Sequence, residues 1–349
     1  MDLHVFTQPH LTMTITGETF RFNENLENLP FNFRASCAAK RGPYCMMVAE
    51  KVDKGFLIME DLKDPQRPQG PLKELNKNDI CPLHIAKLVM TKLAIFHGVW
   101  LSWLKNQDPP IIAGLNKGQL IETLNYYLGK RSDMKIWKGI FTGFEKQLTA
   151  LEKPPELIKA LKAYWKNGFY ENFASCFPQS SKYVTLIHGD VWINNFFVNN
   201  EETEITFVDF QLMQTSHPAR DFWYFLYAST DSEWRKNHLE TCFETYYETF
   251  SKYFTQANIS MTYGNFKKEF NSKRGFGVSM GFMVIPIMLN ENPELNFSEI
   301  KGIRYAIKFL KETFVKPMDE NEAENIKEMN RRLLDLIEES HELGLLVPK

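Results

Sequence analysis

The sequence predicts an α+β protein: a small β-containing N-terminal lobe, a linker, and a large mainly helical lobe that holds one short β hairpin. Three observations carry this. Two β-rich runs lie close together before residue 62. From Leu83 onward apolar residues recur at steps of three and four, the period of an amphipathic helix. One compact β-rich island, Tyr183 to Val208, interrupts that helical pattern.

The elements follow in chain order. Gly17 to Leu29 reads as a helix that Pro30 helps to end. Tyr44 to Ala49 and Gly55 to Glu60 read as two strands, with Glu50 to Lys54 as the loop between them. Asp61 to Asn78 carries Pro65, Pro68, Gly70 and Pro71 and reads as a linker. The domains are therefore expected at 1–62 and 63–349. Leu83 to Leu104 places Ile85, Leu88, Val89, Leu93, Phe96, Trp100 and Trp103 on one face, with Asp79 as the expected cap and Pro82 suiting the first turn. Gln119 to Leu128, Ile136 to Leu151 and Glu156 to Phe173 repeat the helical pattern. In the island, Tyr183 to Ile187, Phe196 to Val198 and Ile205 to Val208 are the expected strands. Helices resume at Asp221, and the last opens at Asn321 with Glu324 three residues on, carrying Ile326, Met329, Leu333 and Ile337.

Composition narrows the function classes. The chain has 349 residues, 44% of them hydrophobic, with 28 Phe and 7 Trp, which excludes global disorder. Lys plus Arg number 41 against 43 Asp plus Glu, and no basic stripe stands out, so nucleic acid is not an expected partner. The five cysteines include no C-x-x-C pair, which argues against a zinc site or a disulfide framework. No basic n-region precedes an apolar run at the N-terminus, and the longest apolar run, Gly275 to Leu289, falls short of a bilayer and contains Pro286. A cytoplasmic protein without a membrane span is the expectation; its oligomeric state is open. Gly275, Gly277 and Gly281 are spaced G-x-G-x-x-x-G with no strand before them, so they read as a close-packed helix rather than a dinucleotide loop. No G-x-x-x-x-G-K-[ST] is present.

The chemistry concentrates in Leu186-Ile187-His188-Gly189-Asp190-Val191-Trp192-Ile193-Asn194-Asn195-Phe196 and in Phe207-Val208-Asp209-Phe210-Gln211. A β-rich run ends in a turn bearing Asp190, and Asn195 follows just before a second strand. Asp209 ends the next strand, which hairpin pairing would return to the first turn. Asp and Asn also favour turns for local reasons. Two carboxylates and an amide oxygen, however, are hard donors suited to Mg²⁺ together with phosphate oxygens. Phosphoryl transfer needs such a set: a carboxylate for the attacking hydroxyl, and an Asn and an Asp for metal.

These residues resemble the catalytic loop and metal-binding strand of the aminoglycoside phosphotransferase and choline kinase superfamily. Within it, HGDVWINN followed by VDFQ most resembles the ecdysteroid kinase-like (CHK kinase-like) family. Ile58-Met59-Glu60-Asp61-Leu62 resembles its hinge strand, Lys92 to His97 its L-A-x-F-H helix, and Ser216 to Leu226 its P-A-x-D-L-x-Y-F-L segment. The resemblance implies a protein-kinase-like bilobal fold with a reduced N-terminal β lobe, since no glycine-rich hairpin and Lys strand precede Glu18. It implies Asp190 as catalytic base, Asn195 and Asp209 as metal ligands, and backbone groups of Glu60, Asp61 and Leu62 as the adenine site. It gives His188 a bracing role behind the loop and Asp221 a helix-capping and loop-holding one, and it matches Glu18 to the helix acid that pairs with the clamp Lys. ATP and Mg²⁺ are the implied cofactors, and a small-molecule hydroxyl, sterol-like, ecdysteroid-like or a detoxification substrate, is the implied acceptor. The alternative is a catalytically impaired pseudokinase that binds or scaffolds. His97 and His217 are expected to be structural, and Trp192 a packing anchor.

Overall fold

The computed structural model describes residues 14–16, 19–21, 47–51, 54–58, 62–67, 69–106, 135–177, 183–289 and 324–346. Two antiparallel hairpins come first. β1 (Thr14–Thr16) pairs with β2 (Thr19–Arg21), and β3 (Met47–Lys51) pairs with β4 (Lys54–Ile58). The first hairpin corrects the helix expected from Gly17. Thr14-Ile15-Thr16 and Thr19-Phe20-Arg21 are β-branched and aromatic, which favours a pleated strand over a helix. The helix expected at 119–128 lies outside the described residues, as do Glu18, Glu60, Asp61 and Asn321.

The core is built around α5 (Ala219–Ser229), whose eleven residues are all buried. We number the helices before it α1 (Leu83–Lys105), α2 (Lys135–Ala150), α3 (Pro155–Asn167) and α4 (Phe169–Ala174). Those after it are α6 (Ser232–Phe250), α7 (Tyr263–Asn271), α8 (Arg274–Leu289) and α9 (Glu324–Glu342). A helix apolar on every side needs neighbours on every side. α8 crosses α5 at Gly277, where a Cβ would fall 2.4 Å from the Tyr227 ring and 2.9 Å from Trp223 Cβ. Gly275 and Gly281 admit Asn172 of α4 and Leu336 of α9 in the same way. These glycines are thus packing residues of a helix. Around them, Phe222, Trp223, Phe243, Tyr246, Phe266 and Phe270 form one aromatic cluster, and full burial of each such ring is worth roughly 1.5–3 kcal/mol.

Ions tie this bundle together where helices meet. The Arg235 guanidinium of α6 donates to Glu339 of α9, at 2.6 Å for its shortest contact, and to the carbonyls of Leu226 and Thr230. Arg274 of α8 donates to the other Glu339 oxygen at 2.9 Å. Such a buried pair is costly to break from one side.

α1 carries Ile85, Val89, Leu93 and Trp100 buried against the core, while Leu88, Phe96 and Trp103 are only half-buried. It packs along α6 and β6 (Thr185–Ile187). By length and composition α1 could cross a membrane, but more than half of its most apolar window is buried within the fold. Its N-cap is Pro82, and Asp79 makes no cap; the Asp79 carboxylate instead accepts from the Asn76 side chain. The single helix expected at 156–173 is two, broken at Gly168, which costs a helix interior about 0.5–1 kcal/mol relative to Ala and lets Phe169 and Phe173 turn inward. Within α9, Met329, Leu333 and Ile337 are buried, as their spacing predicts.

Strands are few and short, so the described fold is α+β with helices dominant. β7 (Phe196–Asn199) lies between β5 (Leu72–Lys73) and β8 (Ile205–Phe207) in one antiparallel sheet. β6 pairs with β9 (Gln214–Ser216) in another. β5 falls inside the stretch expected to be a plain linker.

Candidate functional site

β6 ends at Ile187, and His188-Gly189-Asp190 turns the chain away. Gly189 sits at φ +87°, and a Cβ there would meet the Leu212 carbonyl oxygen at 2.2 Å, so the turn admits only glycine without movement. Buried Val191 and Ile193 then anchor the loop, Trp192 packs half-buried against the core, and a short turn over Ile193–Asn195 leads into β7.

Asn195 is held close to Asp190. Its Nδ2 donates to the Asp190 backbone oxygen at 2.8 Å and to Asp190 Oδ2 at 2.9 Å. Both amide protons are therefore committed to Asp190, and Asn195 Oδ1 is the donor atom left for a cation. Asp190 Oδ1 accepts from the Tyr224 hydroxyl at 2.6 Å.

The β7–β8 hairpin brings Asp209 back to this point. Phe196 opposes Phe207, and the ladder extends one step further, with Val208 N–H donating to Asn195 O at 3.0 Å. Val208 O in turn faces His188 Nε2 at 2.8 Å. The Val208 carbonyl can only accept, so His188 carries a proton on Nε2; His188 Nδ1 accepts from Asp190 N–H at 3.3 Å. His188 is fully buried and lies on the Phe210 ring, with centroids 4.4 Å apart. Val208 is thus tied at both its N–H and its C=O, which fixes where Asp209 begins. Asp209 adopts the left-handed conformation, φ 61° and ψ 61°, and its side chain is exposed. Asp is among the few residues that visit this region.

Asp221 lies in the first turn of α5, so it does not cap that helix. Its fully buried carboxylate accepts from His188 N–H at 2.7 Å, from Gly189 N–H at 2.9 Å and from His97 Nε2 at 3.1 Å. Burial by itself would raise its pKa. The His97 hydrogen bond, the electrostatic pull of the His97 and His188 rings and the Gly189 N–H outweigh burial and hold it below the usual carboxylate value. His97 Nδ1 accepts from the Tyr246 hydroxyl at 2.7 Å, and burial, with the Asp221 charge, pushes the Tyr246 phenol up. His217 is also buried, and its Nδ1 accepts from Ala219 N–H.

Of the expected adenine site only Leu62 is described. It is buried, and its carbonyl accepts from Leu72 N–H at 2.7 Å, joining the start of the linker to β5. The described residues on either side of Glu18, Thr16 and Thr19, are in strands. The sequence pattern alone assigns no role to Tyr224. Its signal was its place three residues after Asp221 on a helix, one turn along the same face.

The donor set suits a magnesium–phosphate site. Among the described residues no three His, Cys, Asp or Glu side chains gather as a metal cluster. The candidate metal-facing groups are one amide oxygen and one exposed carboxylate, and Mg²⁺ characteristically takes one or two carboxylates and completes its shell with substrate phosphates. Thiol chemistry has no support among the described residues: Cys81, Cys176 and Cys242 are buried, and burial pushes the Cys242 thiol up to about 12.

No curated protein matches the chain. The model of the ecdysteroid kinase-like family matches residues 18–259, well over half of the sequence. The matched span takes in Asp190, Asn195 and Asp209 as well as Asp221 and Tyr224. A turn holding Asp190, an asparagine locked to it and a hairpin returning Asp209 are thus found inside a family-wide match, and the chain belongs to the ecdysteroid kinase-like family.

Proposed function

We propose that this protein is an ATP- and Mg²⁺-dependent phosphotransferase that moves the γ-phosphate to a hydroxyl of a small molecule. One observation carries the reading: Asn195 spends its amide protons on Asp190 while its backbone oxygen holds the strand end that bears Asp209. Asp190 takes the role of base. It orients the acceptor hydroxyl and receives its proton as the new P–O bond forms and the bond from the γ-phosphorus to the departing ADP breaks. Asn195 Oδ1 and the Asp209 carboxylate would hold Mg²⁺, which when bound neutralises phosphate oxygens. His188 and Asp221 keep the loop's shape and touch neither substrate. Family membership supports a sterol-like, ecdysteroid-like or detoxification acceptor. It also supports a protein-kinase-like arrangement with a reduced β lobe, with nucleotide entering near Leu62.

The test is Asp190→Asn. With ATP labelled in its γ-phosphate and a panel of hydroxylated sterols, transfer should fall about 10²–10⁴-fold, while the far-ultraviolet spectrum stays that of the wild type. Equal transfer by both proteins would remove Asp190 from the reaction.

A further inference from the structure

We propose that Tyr224 is a positioning residue for Asp190, clamping the carboxylate so that it faces the attacking hydroxyl in one orientation. The inference rests on the phosphotransferase reading and adds a residue to it. Each Asp190 carboxylate oxygen has its own fixed donor. Tyr224 Oη–H holds Oδ1 at 2.6 Å, and Asn195 Nδ2–H holds Oδ2 at 2.9 Å. An ionised carboxylate is acceptor-only, so the phenol must be the donor in the first contact. The two donors come from different elements, α5 and the turn before β7, and together they fix the torsion of the carboxylate plane. Each oxygen keeps a lone pair for the incoming proton.

The placement of Tyr224 makes the clamp stiff. It is buried in α5, the helix enclosed on every side, and it stands three residues after Asp221. Residues three apart share a helix face. Asp221 therefore holds the backbone of His188 and Gly189 from one turn of α5, and Tyr224 holds the side chain of Asp190 from the next. One rigid body thus sets both the path of the loop and the aim of its base. Positioning by a packed helix has catalytic weight because a misplacement of about 1 Å in a reacting group can cost roughly 10²-fold in rate.

Tyr224→Phe removes the hydroxyl and keeps the ring, so the core around it stays filled. The full-length protein is assayed for phosphate release from MgATP with water as acceptor, in four forms: wild type, Tyr224→Phe, Asp190→Asn and the double variant. The expected result is a fall in kcat of about 10- to 100-fold for Tyr224→Phe, a KM for MgATP within about twofold of wild type, and no further loss when the change is added to Asp190→Asn. Unchanged kcat in Tyr224→Phe overturns the proposal. So does an equal fractional loss in both backgrounds, since a merely structural hydroxyl would act with or without the carboxylate. Wild-type release no faster than that of Asp190→Asn overturns the phosphotransferase reading itself, and the clamp with it.

Discussion

Replacing Asp221 by Asn keeps shape and volume and changes only charge and one donor–acceptor pairing. The consequence follows from which oxygen serves which donor. Oδ2 accepts from both His188 N–H and His97, while Oδ1 accepts from Gly189 N–H. The amide will place its oxygen where two donors meet, which turns its NH₂ toward Gly189 N–H. A buried donor left without an acceptor costs about 1–3 kcal/mol, and each of the two remaining bonds drops from charge-assisted to neutral, about 1 kcal/mol apiece. The total is about 3–5 kcal/mol, a large share of the roughly 5–15 kcal/mol that holds a typical protein folded. Urea unfolding followed by tryptophan fluorescence at pH 7 measures it directly. The pH dependence has a definite sign. Because the folded-state pKa of Asp221 is depressed, its contribution is fully present above the unfolded value of 3.8 and is lost as pH falls below that, through the lowered folded value. The gap between wild type and variant should therefore hold steady from pH 7 to 5 and close only below 3.8. A gap under about 1 kcal/mol at pH 7, against the orphaned-donor cost alone, or one that closes near neutrality, would refute this account of the loop.

Two further outcomes follow from the same geometry. Asp209→Ala should abolish the Mg²⁺ dependence of ATP binding in calorimetry, and Asn195→Ala should weaken it; wild-type binding indifferent to Mg²⁺ would remove both from the metal site. Gly189→Ala should destabilise by about 2–5 kcal/mol, combining left-handed strain with a clash against the Leu212 backbone, whereas Gly264→Ala, with nothing within 4 Å of the new methyl, should stabilise by up to about 1 kcal/mol; similar effects at the two glycines in thermal melts would contradict the packing described.

Legibility followed range along the chain. The spacing from Asp190 through Asn195 to Asp209 could be read because β7, its loop and β8 are consecutive, so the pairing that gathers those residues is local. Long helices such as α1 and α9 were readable for a similar reason: their apolar period persists over many residues. Short segments were not. Residues 19–21 joined a strand although their surroundings suggested a helix, and the run expected to be one helix broke at Gly168, because propensity over a few residues is weak against what the chain packs upon. β5 inside the linker and β9 beside β6 exist only because distant strands offer them partners.

What the sequence by itself determined is the set of groups: an acid in a glycine turn, an amide and a second acid on a hairpin, all hard oxygen donors of the type that suits phosphate and magnesium. Only the tertiary structure decided how that acid is held. Tyr224 reaches Asp190 across 34 residues, and Asp221 reaches His188 across 33. Both contacts depend on α5 being buried on all sides, which in turn depends on glycines of α8 letting the helices close. No local pattern encodes such a contact, because its energy comes from burying groups far apart in the chain and from satisfying, inside that burial, the polar atoms that water would otherwise serve.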